Sequence, residues 1–284
     1  MSELARRILF AVIAAPLGVA IIYVGGAPLA TMLAVLAALG AWELCRIARA
    51  GGAEPFDAAA IVGAAAIPLI VHGVHLRVLA PTWTHAAIAM LALFTAAIFL
   101  RGPERRPLLA VSTTVAGVAY VSLIAYVYAL RYDDYVVDPR GGTALVMLPI
   151  LLTWATDVGA YAFGRMFGRR KLIPSVSPGK TIAGAVGGLL LAVVIALAYV
   201  RWILHPLGQL TLTVPSTILF AAVVSIVGQI GDLFESLLKR EGGVKDSSTL
   251  LPGHGGVLDR FDSMLFVLPV AALLLHALLL PAPA

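Results

Sequence analysis

Nine apolar stretches occupy most of this chain: Ile8–Val24, Ala27–Leu44, Ala58–Val74, His85–Leu100, Leu108–Leu130, Thr143–Phe163, Ile182–Leu204, Val214–Leu238 and Phe261–Leu280. Each comes close to the ~20 residues that a helix needs to cross the hydrocarbon of a bilayer. Lipid offers backbone groups no hydrogen-bond partner, so a span must satisfy its own, and continuous apolar runs of this length do so as helices. The expected fold is therefore all-α: a polytopic helical membrane protein with about nine transmembrane helices. Composition agrees. The chain is 61% hydrophobic and 12% charged, against roughly 25% charged in soluble domains, which excludes both a soluble globule and a disordered chain. A single cysteine, Cys45, excludes an intrachain disulfide and a cysteine zinc site, and it reads as an inert buried thiol.

The distribution of basic residues orients the spans. Arg6 and Arg7 precede the first; Arg46 and Arg49 close the second; Arg101, Arg105 and Arg106 follow the fourth. Arg165, Arg169, Arg170, Lys171 and Lys180 follow the sixth, and Lys239, Arg240 and Lys245 the eighth, whereas Asp133, Asp134 and Asp138 make an intervening connection acidic. Alternate loops are thus basic, which the positive-inside rule reads as cytoplasmic, with the N-terminus inside and the C-terminus outside. The N-terminal run also has the outline of a signal peptide, but a second apolar helix follows at once, which suits a hairpin of two anchors better. Trp42, Trp83 and Trp202 read as interface anchors.

Charge is costly in a bilayer, so its location is informative. Of 35 charged residues, 16 fall within residues 157–180 and 228–262. Gln229, Asp232, Ser236 and Lys239 recur at helical spacing and form one stripe. Asp259 and Asp262 share a face at the start of the ninth span. The helix dipole at that position explains one acid by capping alone, but capping does not explain Asp232, which has apolar Val214–Val227 behind it. Carboxylates without sulfur and with little imidazole suit a hard cation, Mg²⁺ or Mn²⁺, and a basic rim beside them suits phosphate. Interfacial salt bridges are the plainer alternative.

Ser175–Thr181 nearly matches a phosphate-binding P-loop. Pro174 replaces its first glycine, no strand is expected before it, and Pro178 removes a needed N–H, so a P-loop is rejected. Lys180 nonetheless precedes a helix start, whose free N–H groups attract anions. Gly255-Gly256 reads either as a bend or as a close backbone approach. His72 and His75 lack the company a metal site needs, and Gly184 with Gly188 reads as helix packing.

From Ser236 to Asp262 the chain follows the pattern S-x-x-K-R-x4-K-D-x-S-x2-L-P-x-H-G-G-x-x-D-R-x-D without departure. In this it resembles the phosphatidate cytidylyltransferases, the CDP-diacylglycerol synthases. Asp157 with Gly159–Gly164, Ser177–Thr181 and Gly228–Ser236 resemble the family as well, so the likeness covers roughly residues 150–265. The resemblance implies a magnesium-dependent membrane enzyme, a homodimer, that makes CDP-diacylglycerol and pyrophosphate from CTP and phosphatidic acid. It implies metal binding at Asp232 and Asp259. Lys239 and Asp246 are expected to be catalytic with these two. Ser177, Lys180, Ser236, Arg240, Lys245, His254, Arg260, Asp262 and Asp157 are expected to contact substrate. Residues 1–142 are expected to form the N-terminal helices and 143–284 the catalytic region.

The expected reaction relies on positioning and charge stabilisation, without protein covalent chemistry or nucleic acid. Location in a bacterial inner membrane, among its lipids and with the active site facing the cytoplasm, completes the expectation. An ion-coupled transporter would show a broken helix at mid-membrane. A lipid-binding protein would explain the basic loops but not the aspartates. A CTP-dependent transferase acting on another lipid phosphate or a polyprenol is the nearest enzymatic alternative.

Overall fold

The computed structural model describes residues 3–250 and 255–282, with side chains from Val12 onward. In chain order the helices are α1 (Glu3–Val24), α2 (Gly26–Ala50), α3 (Asp57–His75), α4 (Trp83–Leu100), α5 (Pro107–Val121), α6 (Tyr126–Arg131) and α7 (Pro139–Phe167). A hairpin of β1 (Lys171–Ile173) and β2 (Ser177–Thr181) then leads into α8 (Ile182–Tyr199) and α9 (His205–Gly208). The short strand β3 (Leu210–Thr211) precedes α10 (Val214–Glu241) and α11 (Leu258–Leu278), and it pairs with β4 (Leu280–Pro281) after them.

The chain is an all-α integral membrane protein. Among the described residues, eight helical stretches are long and apolar enough to cross a bilayer, and Val12–Val24 of α1 adds a shorter apolar helix. This matches the nine expected runs. The fifth run is one stretch wound in two ways, since a 3₁₀ turn over Ser122–Ala125 joins α5 to α6. The seventh contains a π turn over Val200–Leu204. Pro206 follows that turn, and a proline that can neither donate nor clear the preceding carbonyl favours such local widening.

Local chemistry places the helix starts. Asp138 caps α7 by accepting from the Gly141 N–H at 2.8 Å, with Pro139 in the first turn, where its missing N–H costs nothing. Thr181 caps α8 in the same way through the Gly184 N–H at 3.1 Å. Prolines lie inside α1, α3, α7 and α11, as membrane helices tolerate where neighbouring groups re-satisfy the freed backbone.

The chain forms two compact units that alternate along its length. The first comprises residues 1–14, 26–128 and 238–260, and the second 15–25, 129–237 and 261–284. In the first, α2, α3 and α5 pack together around Leu29, Leu33, Ala37, Ala60 and Ala64, all nearly or fully buried. His72 donates to or accepts from the Tyr128 hydroxyl at 2.6 Å, and both His72 and His75 lie edge-on to the Tyr128 ring, so these histidines have an aromatic partner. In the second unit, α7 and α8 run in close contact along a glycine seam. A side chain at Gly159 would meet the Gly187 carbonyl at 2.7 Å, one at Gly184 the Ala160 carbonyl at 2.6 Å, and one at Gly188 the Thr156 carbonyl at 2.6 Å. Here the Gly184/Gly188 pair is helix packing. Arg131 is buried and donates to the Ile22 and Tyr23 carbonyls at 2.8 and 2.9 Å, closing the C-terminus of α1 with a cation where the dipole favours one.

Candidate active site

In the second unit, the end of α7, the β1–β2 hairpin, the start of α8 and the last third of α10 enclose a cavity of about 600 Å³. Its walls include Asp157, Tyr161, Arg165, Lys180, Gln229 and Asp232. Helical spacing brings Gln229 and Asp232 to this wall, as the polar stripe requires. Asp232 Oδ2 pairs with Lys180 Nζ at 2.6 Å, and its Oδ1 accepts from the Ser236 hydroxyl at 3.4 Å. The pair is partly open, with the two side chains 25% and 32% exposed. Gln229 is tied down by its amide, which donates to the Ala185 carbonyl and the Ser225 hydroxyl, each at 3.3 Å. Arg165 donates to the Tyr161 hydroxyl at 3.0 Å.

The Ser175–Thr181 segment departs from expectation in one respect: a short strand, β1, does precede it. The chain is still no P-loop, because Ser177–Thr181 is itself a strand, with Lys171 opposite Thr181 and Ile173 opposite Ser177. A strand held in a ladder does not wrap a phosphate with its amides. The hairpin instead delivers Lys180 to the cavity, and Ser177 sits half-buried at its other end.

The remaining signature residues behave differently. In the first unit Lys239 Nζ pairs with Asp259 Oδ1 at 2.7 Å, with side chains only 14% and 6% exposed. Asp259 Oδ2 accepts from the Ser247 N–H and hydroxyl, both at 3.0 Å, and from the Gly256 N–H at 2.8 Å. Arg240, Lys245, Asp246 and Arg260 are exposed. Asp262 belongs to the second unit, where its Oδ1 accepts from the Ser263 N–H at 2.6 Å. His254 lies outside the described residues. Gly255-Gly256 is a close approach: Gly255 has φ +76°, a side chain there would meet Asp259 Oδ2 at 2.6 Å, and one at Gly256 would strike Ser247 and Glu43.

Glu43 is the residue that sequence reasoning passed over. It is fully buried on α2, and its carboxylate accepts hydrogen bonds from Ser247, Ser248, Val257 and Leu258. A signal was present, since Glu43 is the one charge within the apolar run Ala27–Leu44, and intramembrane acids are functional by default.

The cavity's donor set fits a hard divalent ion. Asp157, Gln229 and Asp232 offer oxygens on its walls, and magnesium typically takes one or two carboxylates and completes its shell with water and phosphate. No group of three or more His, Cys, Asp or Glu side chains able to hold a metal occurs among the described residues, and a site of this kind needs none. At Asp259, as at Asp232, a lysine ammonium holds one carboxylate oxygen; Asp259 differs in being nearly closed off, with its other oxygen already accepting from Ser247 and Gly256.

The pattern that defines the Cytidylyltransferase family matches residues 5–278. The chain belongs to that family. A phosphatidate cytidylyltransferase of Haemophilus influenzae is 39% identical over 201 residues, covering 69% of this chain and 67% of the relative. Those of Staphylococcus haemolyticus and Staphylococcus aureus are 43% and 42% identical over 159 residues, 56% of each chain. The chain therefore spans about two thirds of the first relative and a little over half of the other two. Within the family's matched span lie both the cavity around Asp232 and the cluster around Asp259.

Proposed function

We propose that this chain transfers the cytidylyl group of CTP to phosphatidic acid, giving CDP-diacylglycerol and pyrophosphate for phospholipid synthesis. The observation that carries this reading is the Lys180–Asp232 pair on the wall of a cavity that also holds Asp157 and Arg165, in a chain of this family. An oxygen of the phosphatidate phosphate bonds to the α-phosphorus of CTP. The bond from that phosphorus to the β-phosphate's bridging oxygen breaks, and pyrophosphate leaves. The attacking oxygen is already anionic, so a general base is unnecessary.

Lys180 and Arg165 hold phosphate charge, and Gln229, fixed by its own hydrogen bonds, keeps the cavity wall rigid. Asp232 and Asp157 would hold Mg²⁺, with Mn²⁺ as a substitute; the ion would neutralise phosphate charge and draw off electron density at the α-phosphorus. Asp259 is the second metal ligand the resemblance implies. Lys239, Arg240, Lys245, Asp246, Ser236, Ser177, His254, Arg260 and Asp262 are proposed contacts for substrate or its charge. Arg165 in the last turn of α7 lines the cavity, and Arg169, Arg170 and Lys171 follow that helix, which supports a cytoplasmic active site in a bacterial inner membrane. Two copies of the chain form the working enzyme in this reading.

One assay tests it. Purified protein in vesicles with phosphatidic acid, Mg²⁺ and labelled CTP is expected to form lipid-linked CMP and to release pyrophosphate, and to lose both when Mg²⁺ is chelated. Substrate flux into sealed vesicles without pyrophosphate release would instead mark a transporter. Transfer to a polyprenyl phosphate in preference to phosphatidic acid would move the substrate assignment.

A further inference from the structure

Glu43 sits in an α2 stretch that carries no other charge between Ala27 and Leu44, and none of its surface reaches solvent. Burying an acid is unfavourable unless its oxygens are fully hydrogen-bonded. Here each oxygen has two donors, and every donor among the described residues comes from a single segment. Oε1 accepts from the Ser248 hydroxyl at 2.6 Å and the Val257 N–H at 2.9 Å. Oε2 accepts from the Ser247 hydroxyl at 2.9 Å and the Leu258 N–H at 2.6 Å. Val257 and Leu258 enter α11, so the acid also faces the positive end of that helix.

Ser247 links Glu43 to the signature aspartate. Its hydroxyl lies 2.9 Å from Glu43 Oε2 and 3.0 Å from Asp259 Oδ2, yet a hydroxyl carries one hydrogen to donate. The two carboxylates therefore share it. The arrangement requires glycine at 256, because a Cβ there would occupy the space of the Glu43 carboxylate and the Ser247 hydroxyl. Asp259 Oδ2 is thereby fixed by the Ser247 and Gly256 donors, while Oδ1 meets the flexible Lys239 ammonium, a partner that can move.

We propose that Glu43 is a positioning residue for Asp259: through Ser247 and the Val257 and Leu258 amides it holds the signature segment so that Asp259 presents Oδ1. The inference rests on the reading that Asp259 belongs to the reaction machinery. Glu43→Gln keeps length and one acceptor but sets an amide N–H₂ against donors, and it leaves the Ser247 proton to Asp259. Ser247→Ala removes the shared hydroxyl alone.

The test uses the full chain in vesicles, with kcat, both KM values, and amide hydrogen exchange over residues 255–260. In E43Q, kcat should fall by about tenfold or more, as loss of an outer supporting partner typically causes, with KM for CTP and for phosphatidic acid unchanged within about threefold. S247A should lose at least about threefold in kcat, and the double variant should be no worse than E43Q, because partners in one network are not additive. Exchange at Val257 and Leu258 should quicken in E43Q. A smaller fall in kcat for E43Q, a loss carried by KM, or losses that multiply in the double variant overturn the proposal. Should E43Q fail to fold, S247A decides, and wild-type kcat in S247A overturns it. Should the unmodified protein form no lipid-linked CMP, the functional reading fails by itself. The exchange measurement then still decides, quicker exchange in E43Q supporting the anchoring and unchanged exchange overturning it.

Discussion

Two lysine–aspartate pairs of almost equal length occupy opposite surroundings in this protein. Lys180–Asp232, at 2.6 Å, lies on a cavity wall with about a quarter to a third of each side chain exposed. Lys239–Asp259, at 2.7 Å, is nearly closed off, and its aspartate already accepts from two N–H groups and a hydroxyl. An ion pair by itself therefore says little about role. The number of donors already satisfied and the access left to a ligand decide whether a carboxylate is placed to bind something new or to hold the chain in place. The open pair has room for phosphate and a cation; in the closed one, with Glu43 behind it, a loop and a helix start hold one aspartate oxygen in place.

The largest effect that separates the two pairs is expected at Asp232. Asp232→Asn should reduce cytidylyl transfer by on the order of a thousandfold, comparable to the loss of a key electrostatic group in other active sites, with thermal stability in detergent unchanged. Near-normal product formation by that variant would remove the open pair from the chemistry. Asp259→Asn should lower transfer too but, unlike Asp232→Asn, should also lower stability, because the Ser247 and Gly256 donors lose a charged acceptor, each such bond being worth about 1.5–3 kcal/mol. A melting temperature that stays put while activity vanishes would leave the closed pair a chemical role alone.

Lys180→Ala should weaken CTP binding by about 10- to 100-fold, the worth of a hydrogen bond to a charged group, read as a rise in KM. An unchanged KM would show that Lys180 serves only to neutralise Asp232. The smallest effect belongs to a pair outside both sites. Arg49 and Asp57 also bond, with side chains 47% and 28% exposed, so Asp57→Asn should change stability by less than about 0.5 kcal/mol and leave transfer intact, as exposed pairs generally do.

Much of this was legible in the chain itself, for reasons that lie in short-range physics. Apolar run length marks the spans, since a bilayer of fixed thickness demands it. Helical spacing placed Gln229, Asp232 and Ser236 on one face of α10, and the apolar run from Ile182 marks where α8 begins. Other features could not be read this way. The short strand β1 exists because it pairs with β2, not because Lys171–Ile173 has a strand pattern. Nothing in the sequence of α2 hints at the segment that Glu43 binds.

The sequence by itself thus determined a helical membrane protein, the scarcity of its charge, and a signature whose resemblance names a family. Only the tertiary structure decided which of those charges face a cavity and which are sealed. The physical reason is distance along the chain: Glu43 meets partners 204 to 215 residues away, and Lys180 meets Asp232 across the whole of α8. Local periodicity carries no information at such separations, whereas the burial of Glu43 and the satisfaction of its oxygens depend on them.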